Sequence, residues 1–223
     1  MAAGFGAFGK MPAAGDFIRA GTPPGFVAAW DAWLQGGMLD CQQAFGAAWD
    51  AAFMSAPIWR FGISGGLAGP QPATGVLMPS VDRVGRRFPL TLVAALPAGA
   101  DVVAGHFLNE ALFGRLEDLA LATLDDLGRP ALEEALAVLP APVVASGARL
   151  TQGRGQTVTF RYDPNGGFAG TLLDGRFAHP SIWSTEIDGV AHVMVCDGLP
   201  RGPDMQALMS LNAAIWTEAR PIP

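Results

Sequence analysis

Lysine is all but missing from this chain. Of the 14 basic side chains in its 223 residues, only Lys10 is Lys, and the others are Arg. Charge of either sign is sparse, at 15% of residues against roughly a quarter in an average soluble domain. The 20 acidic side chains leave a formal charge of −6. At a pI near 4.9 no cationic stripe is left to follow a phosphate backbone, which argues against nucleic-acid binding. Nor is this the low-hydropathy, high-charge balance of a disordered chain, because half of the residues are hydrophobic. Cysteine is limited to Cys41 and Cys196, which fit two small buried thiols in a reducing compartment. No basic amphipathic stretch reads as a membrane-surface helix. The first residues lack a basic region followed by an apolar one, so cytoplasm is the expected location. The longest uncharged run, Phe61 to Val81, exceeds the roughly 18 residues of a spanning helix. Gly65-Gly66, Pro70, Pro72 and Pro79 interrupt it, predicting a loop between strands and no membrane insertion.

What the chain does have is apolar periodicity. After Pro23-Pro24, the residues Phe26, Trp30, Trp33, Cys41, Phe45, Trp49 and Phe53 recur at three- and four-residue steps or their sums. That spacing predicts helix with one apolar face. Gly36-Gly37 predicts a break into two helices, because each Gly costs about 1 kcal/mol relative to Ala inside a helix. Pro57 ends the second. Strands are predicted over Ile58–Ser64, Gly75–Ser80 and Phe88–Leu96, between Gly/Pro turns. Helical spacing returns over Val102–Leu127 and Ala131–Leu139, with Phe107, Leu112, Leu116 and Leu119 as the apolar side. Thr157–Tyr162, Ile182–Ile187 and Val190–Val195 read as strands, the last two joined by a hairpin turn at Asp188-Gly189. Pro203 opens a final helix carrying Met205, Leu208, Met209 and Leu211. Strands and helices come in blocks, which favours an α/β fold of the α+β kind over a doubly wound one. The predicted architecture is a mixed, largely antiparallel sheet flanked by helices, a single-domain sandwich over residues 1–223. The flanks of Pro140-Ala-Pro142 are too short to fold as separate units.

Three chemical motifs can be weighed. Gly62-Ile63-Ser64-Gly65-Gly66 fits the nucleophile-elbow pattern, and chain order would allow Ser64, Asp163 and then His179 or His192 as a triad. The Leu-Ala-Gly-Pro-Gln-Pro that follows cannot open the helix whose N-terminus supplies the oxyanion site. Gly4 to Lys10 matches the first seven positions of a phosphate-binding loop, but Met11 stands where the magnesium hydroxyl belongs. His106, His179 and His192 are dispersed and neither Cys sits in a CxxC pair, so no metal spacing emerges.

The charges fall into two clusters. Lys10, Asp16 and Arg19 precede the first helix; Asp82, Arg83, Arg86 and Arg87 connect two apolar strands. Concentrated charge in so uncharged a chain predicts a recognition surface. The structural alternative is that Asp82 caps a turn and Asp16 or Asp31 pairs with Arg to fix loops. Arg binds a carboxylate through two parallel hydrogen bonds, which suits either role.

Both clusters lie in longer stretches: GKMPAAGDFIRAGTPPGFVAAWDAWLQ, APIWRFGISGG and GVLMPSVDRVGRRFPLT. Together these resemble the TagF family, also called ImpM, of proteins associated with bacterial type VI secretion. The likeness runs from Gly9 to about Leu92, and more loosely through SIWSTEI and CDGLP near residues 181 to 200. SIWST departs from it, lacking the second aromatic that many relatives carry after the Trp. The resemblance implies an α/β sandwich like that of small regulatory adaptors. It implies a cytoplasmic accessory protein, without known catalysis, that restrains assembly or firing of the secretion apparatus after translation. Implied partners are a forkhead-associated scaffold protein and its threonine kinase and phosphatase pathway. Some relatives are fused to a phosphatase domain, for which these residues leave no room. No catalytic residue, metal or cofactor carries over. The candidate partner-binding residues are the matched positions Lys10, Asp16, Arg19, Trp59, Arg60, Asp82, Arg83 and Arg86. A serine hydrolase using Ser64 is the alternative from another class. A sensor binding a small anion or phosphorylated segment through the Arg-rich loop is a third reading.

Overall fold

Seven strands pair edge to edge in the order β2-β1-β5-β4-β3-β8-β9, and every pairing is antiparallel. They are β1 (Gly6–Gly9), β2 (Ile18–Ala20), β3 (Trp59–Ile63), β4 (Ala73–Met78), β5 (Leu90–Ala95), β8 (Pro180–Ile187) and β9 (Val190–Asp197). Two short strands, β6 (Thr151–Gln152) and β7 (Val158–Thr159), pair separately. The computed structural model describes residues 4–125, 127–145, 151–152, 158–159, 173 and 175–220. Most of the expected Thr157–Tyr162 strand, and Asp163, lie outside those residues. The antiparallel, helix-flanked sheet agrees with the predicted class, and among the described residues none of its pairings is parallel.

Period-two alternation decides which helices cover which face. Trp59, Phe61 and Ile63 of β3, with Val93 of β5 and Trp183 of β8, point to one side. There they meet α1 (Phe26–Phe45), α2 (Trp49–Ser55) and α6 (Pro203–Met209). The short α7 (Ala214–Thr217) adds Trp216, stacked on Trp59 with centroids 6.0 Å apart. Val76 and Met78 of β4 and Leu90, Leu92 and Ala94 of β5 point to the other side, under α4 (Glu110–Ala122) and α5 (Arg129–Ala137). The same side carries α3 (Val102–His106), whose first turn is capped by Asp101 accepting from the Val103 and Ala104 amides at 3.0 and 2.9 Å. The result is helix, sheet, helix in three layers.

Two expectations need correcting, and strand β1 goes unpredicted. Helix α1 runs unbroken through Gly36-Gly37. A Cβ at Gly37 would lie 2.8 Å from Met205 Cε and 2.9 Å from its Cγ, so this glycine admits α6 against α1. Nothing lies within 4 Å of a Cβ at Gly36. Gly36→Ala is therefore expected to raise stability by about 0.5–1 kcal/mol. Gly37→Ala should lower it by about 1–3 kcal/mol, because Met205 is fully buried and would have to repack around the added methyl. Urea denaturation of the two variants checks the contrast. Second, the predicted helix Val102–Leu127 is split by a tight turn at Phe107–Asn109, leaving Phe107 exposed. Asn109 causes this: its amide donates to the Gly105 and Val143 carbonyls at 2.8 and 3.0 Å, while its oxygen accepts from the Val143 amide at 2.8 Å. Residues 6–9 form strand β1, where no strand is expected, while the strand expected over Gly75–Ser80 is central strand β4. At the end of β1, Gly9 has φ 130°, and a Cβ there would fall 2.0 Å from the Pro89 carbonyl oxygen. Only glycine fits that crossing.

Candidate functional site

Strand β1 ends at Gly9 and delivers Lys10 beside the loop that returns the chain to β2. Strand β4 ends at Met78 and the chain turns back into β5 through residues 79–89. Asp82 builds that turn. Its Oδ1 accepts from the Val84 and Arg86 amides at 3.1 and 2.9 Å, and Gly85 supplies the left-handed φ of 82°. Its Oδ2 accepts from Arg86 Nε at 2.6 Å and lies 3.1 Å from Lys10 Nζ. The Asp82 side chain is wholly buried and that of Lys10 is 7% exposed. Burial disfavours the carboxylate, but the hydrogen bonds from the Arg86 amide, Lys10, the Arg86 side chain and the Val84 amide outweigh it. They hold Asp82 well below the usual carboxylate range.

The two loops touch through backbone as well. The Arg83 amide donates to the Ala14 carbonyl at 2.9 Å, and Arg86 Nη2 donates to the Gly15 carbonyl at 2.8 Å. Lys10 Nζ also stands 5.1 Å from the ring centre of Phe17. Two sequence clusters about seventy residues apart are thus one surface, with a buried Lys10–Asp82 pair beneath it and the exposed Arg86 lying over that pair. Asp16, Arg19 and Arg83 are exposed on it. Asp16 accepts from the Phe17 amide at 2.8 Å, while Arg19 and Arg83 make no ion pair with any described residue.

Trp59 and Arg60 lie elsewhere. Trp59 is 1% exposed, and its indole donates to the Leu208 carbonyl at 2.7 Å, which makes it a core residue. Arg60 points to the opposite face of the sheet, where Nε and Nη2 donate to the two Glu117 oxygens at 2.7 and 2.8 Å. Glu110 accepts from its third nitrogen. The Glu117 hydrogen bonds raise the guanidinium above its ordinary range, so Arg60 fastens α4 to the sheet.

Ser64 lacks the surroundings of a nucleophile. Its Oγ donates to the Pro180 carbonyl at 2.7 Å, and a turn, not a helix, follows it. The adjoining cavity of about 210 Å³ has no histidine among its described lining residues. Among the described residues no three His, Cys, Asp or Glu side chains are grouped to hold a metal. No described helix is long and apolar enough to cross a membrane. Cys41 and Cys196 are free thiols, and burial, with help from Asp40, pushes Cys41 up to about 11.

Sequence reading missed the apolar companions of the charges. Phe17 is 42% exposed and Val84, between the arginines, is 70% exposed. No periodicity could have flagged them, since each sits in a loop.

The family model for the TagF N-terminal domain, described as type VI secretion system-associated, matches residues 6–139. Among solved structures, the crystal structure of PA0076 from Pseudomonas aeruginosa PAO1 is similar at 36% identity and a TM-score of 0.76. The likeness covers 98% of this chain and 97% of that one. No curated protein matches. The family match includes both charged loops, while the structural likeness extends through β8, β9 and α6.

Proposed function

This chain belongs to the TagF N-terminal domain family of type VI secretion-associated proteins, and from that premise we propose that it restrains the secretion apparatus after translation by occupying a partner protein in the cytoplasm. The proposed partner is a forkhead-associated scaffold component of the regulatory pathway. The proposed contact surface is formed by the Lys10–Arg19 and Asp82–Arg86 loops. One observation carries this reading: the Lys10–Asp82 pair at 3.1 Å and the Arg86 hydrogen bond to the Gly15 carbonyl at 2.8 Å clamp the two loops together, which leaves Asp16, Arg19 and Arg83 free to contact a partner. Mobile surface charges lose side-chain entropy on binding, and a fixed platform reduces that cost.

The division of labour sets the test. Arg86 holds Asp82 and the Gly15 carbonyl, so reversing its charge would damage the loop itself. Arg19 and Arg83 carry no such duty. The double variant Arg19→Glu, Arg83→Glu should keep the wild-type circular dichroism and weaken scaffold capture by about tenfold or more. Capture at wild-type strength would refute the assignment of this surface.

A further inference from the structure

The charged surface continues into an apolar one. The Phe17 ring meets the Phe88 ring edge-on, with centroids 4.8 Å apart. Phe88 in turn walls an open groove of about 460 Å³ lined by Met38, Leu39 and Trp49 together with Gln35, Gln42 and Arg87. Leu39 is 54% exposed there, a large apolar side chain in water on the outer face of α1. Phe17, 42% exposed and packed on the groove wall at Phe88, therefore carries apolar surface from the groove to the charged loops.

The charge on the two loops beyond this groove is opposite to that of the molecule. At the groove itself Arg87 is answered by Asp50 at 3.1 Å, and Asp31 accepts from Gln35 at 2.8 Å. The single charge of Asp82 is met by both Lys10 and Arg86, which leaves one positive charge in excess. Arg19 and Arg83 add two more without ion-pair partners among the described residues, and Asp16 is the one exposed carboxylate on these two loops. The two loops are net positive on a chain of formal charge −6. An apolar groove that continues through Phe17 to loops bearing free guanidinium groups is complementary to a ligand that is apolar at one end and anionic at the other.

Resting on the reading that this surface captures a protein, we infer that the Phe88 groove and the Arg19–Arg83 rim together dock an acidic amphipathic segment of that partner. An aliphatic side chain of the segment lies over Leu39 and Phe88, and its carboxylates are gripped by Arg83 and Arg19. The groove supplies burial and the guanidinium forks supply register.

Selection of a phage-displayed random dodecapeptide library on the full chain tests this whatever the partner's identity. The expected consensus combines two or more Asp or Glu with an aliphatic anchor. Synthetic peptides from it should bind at least tenfold more weakly to Leu39→Lys and to Arg83→Glu, and more weakly as salt rises. Both side chains are exposed, so the variants should fold as the wild type does. No enrichment, a neutral or basic consensus, or affinity unchanged in both variants would overturn the inference. So would a concentration-dependent dimer, seen by sedimentation and lost in Leu39→Lys, which would make a second copy the occupant. Scaffold capture measured in parallel separates the two readings. Capture retained with a non-acidic consensus defeats only the docking chemistry; no capture with an acidic consensus supports the groove and defeats the scaffold assignment.

Discussion

A chain cut after Leu139, where the family match ends, is expected not to fold. The cut removes β8, whose register runs Arg60↔Ser184 to Ile63↔Ser181 along β3, and turns a central strand into a bare edge. It also removes Trp183, which lies against Trp30, Trp33 and Phe61 with centroids 6.1, 5.5 and 5.5 Å apart. Two buried indoles lose their acceptors, because Trp33 donates to the Pro200 carbonyl and Trp59 to that of Leu208, both at 2.7 Å. Met205, Leu208 and Met209 leave the α1 face of the sheet uncovered. Deleting one large buried aromatic costs about 3–5 kcal/mol, and an unsatisfied buried donor adds about 1–3 kcal/mol. Several such losses together exceed the roughly 5–15 kcal/mol that a whole domain has to lose. The fragment 1–139 should give flat near-ultraviolet circular dichroism and no cooperative urea transition, while the full chain unfolds in one step. A cooperative transition in the fragment would show that the N-terminal region is a domain by itself and defeat the single-domain reading.

That dependence on the C-terminal strands was partly visible in the sequence. The β8–β9 hairpin declares itself because Asp188 and Gly189 take φ of 52° and 76°, the two positive values that its turn demands. The alternation around Trp59, Phe61 and Ile63 is equally plain. Strands β1 and β2 are not, since GAFG and IRA carry little strand propensity and are held by pairing with β5 and with each other. At the site, the charges could be read but not their depth. Lys10 and Asp82 look like exposed partners in the sequence, yet they neutralise one another under the surface. Trp59 and Arg60 are motif residues for structural reasons, one plugging the core and the other clamping α4. Sequence pattern locates polar residues; burial is settled by contacts from segments far along the chain, as Trp59 and Leu208, 149 residues apart, illustrate.

Acidification is expected to weaken the protein well above the range where carboxylates titrate, and the cause is His106. This side chain sits on α3 with Nε2 2.7 Å from Ser184 Oγ, while its Nδ1 is buried with no partner. The rings of Phe107 and Phe113 lie against it, at centroid distances of 5.1 and 4.9 Å. Burial first, and then the charge of nearby Arg60, lower its pKa from 6.5 to about 3. Glu110 and Glu117 lie next to Arg60 but are engaged by its guanidinium. The unfolded chain therefore takes up a proton near pH 6.5 that the folded one refuses. Stability from this group is complete above pH 6.5 and falls by about 1.4 kcal/mol per pH unit as pH drops toward 3. Asp82 works in a lower window: its depressed carboxyl favours the fold above the unfolded value of about 3.9 and loses that contribution as pH falls further. Urea titrations at pH 6.5 and 4.5 should differ by about 2 kcal/mol in the wild type. His106→Gln keeps a hydrogen-bonding group near Ser184 but cannot be protonated. It should start less stable at pH 6.5 and lose much less over the same interval. An equal slope in the variant would assign the acid sensitivity to other groups and return His106 to a purely packing role.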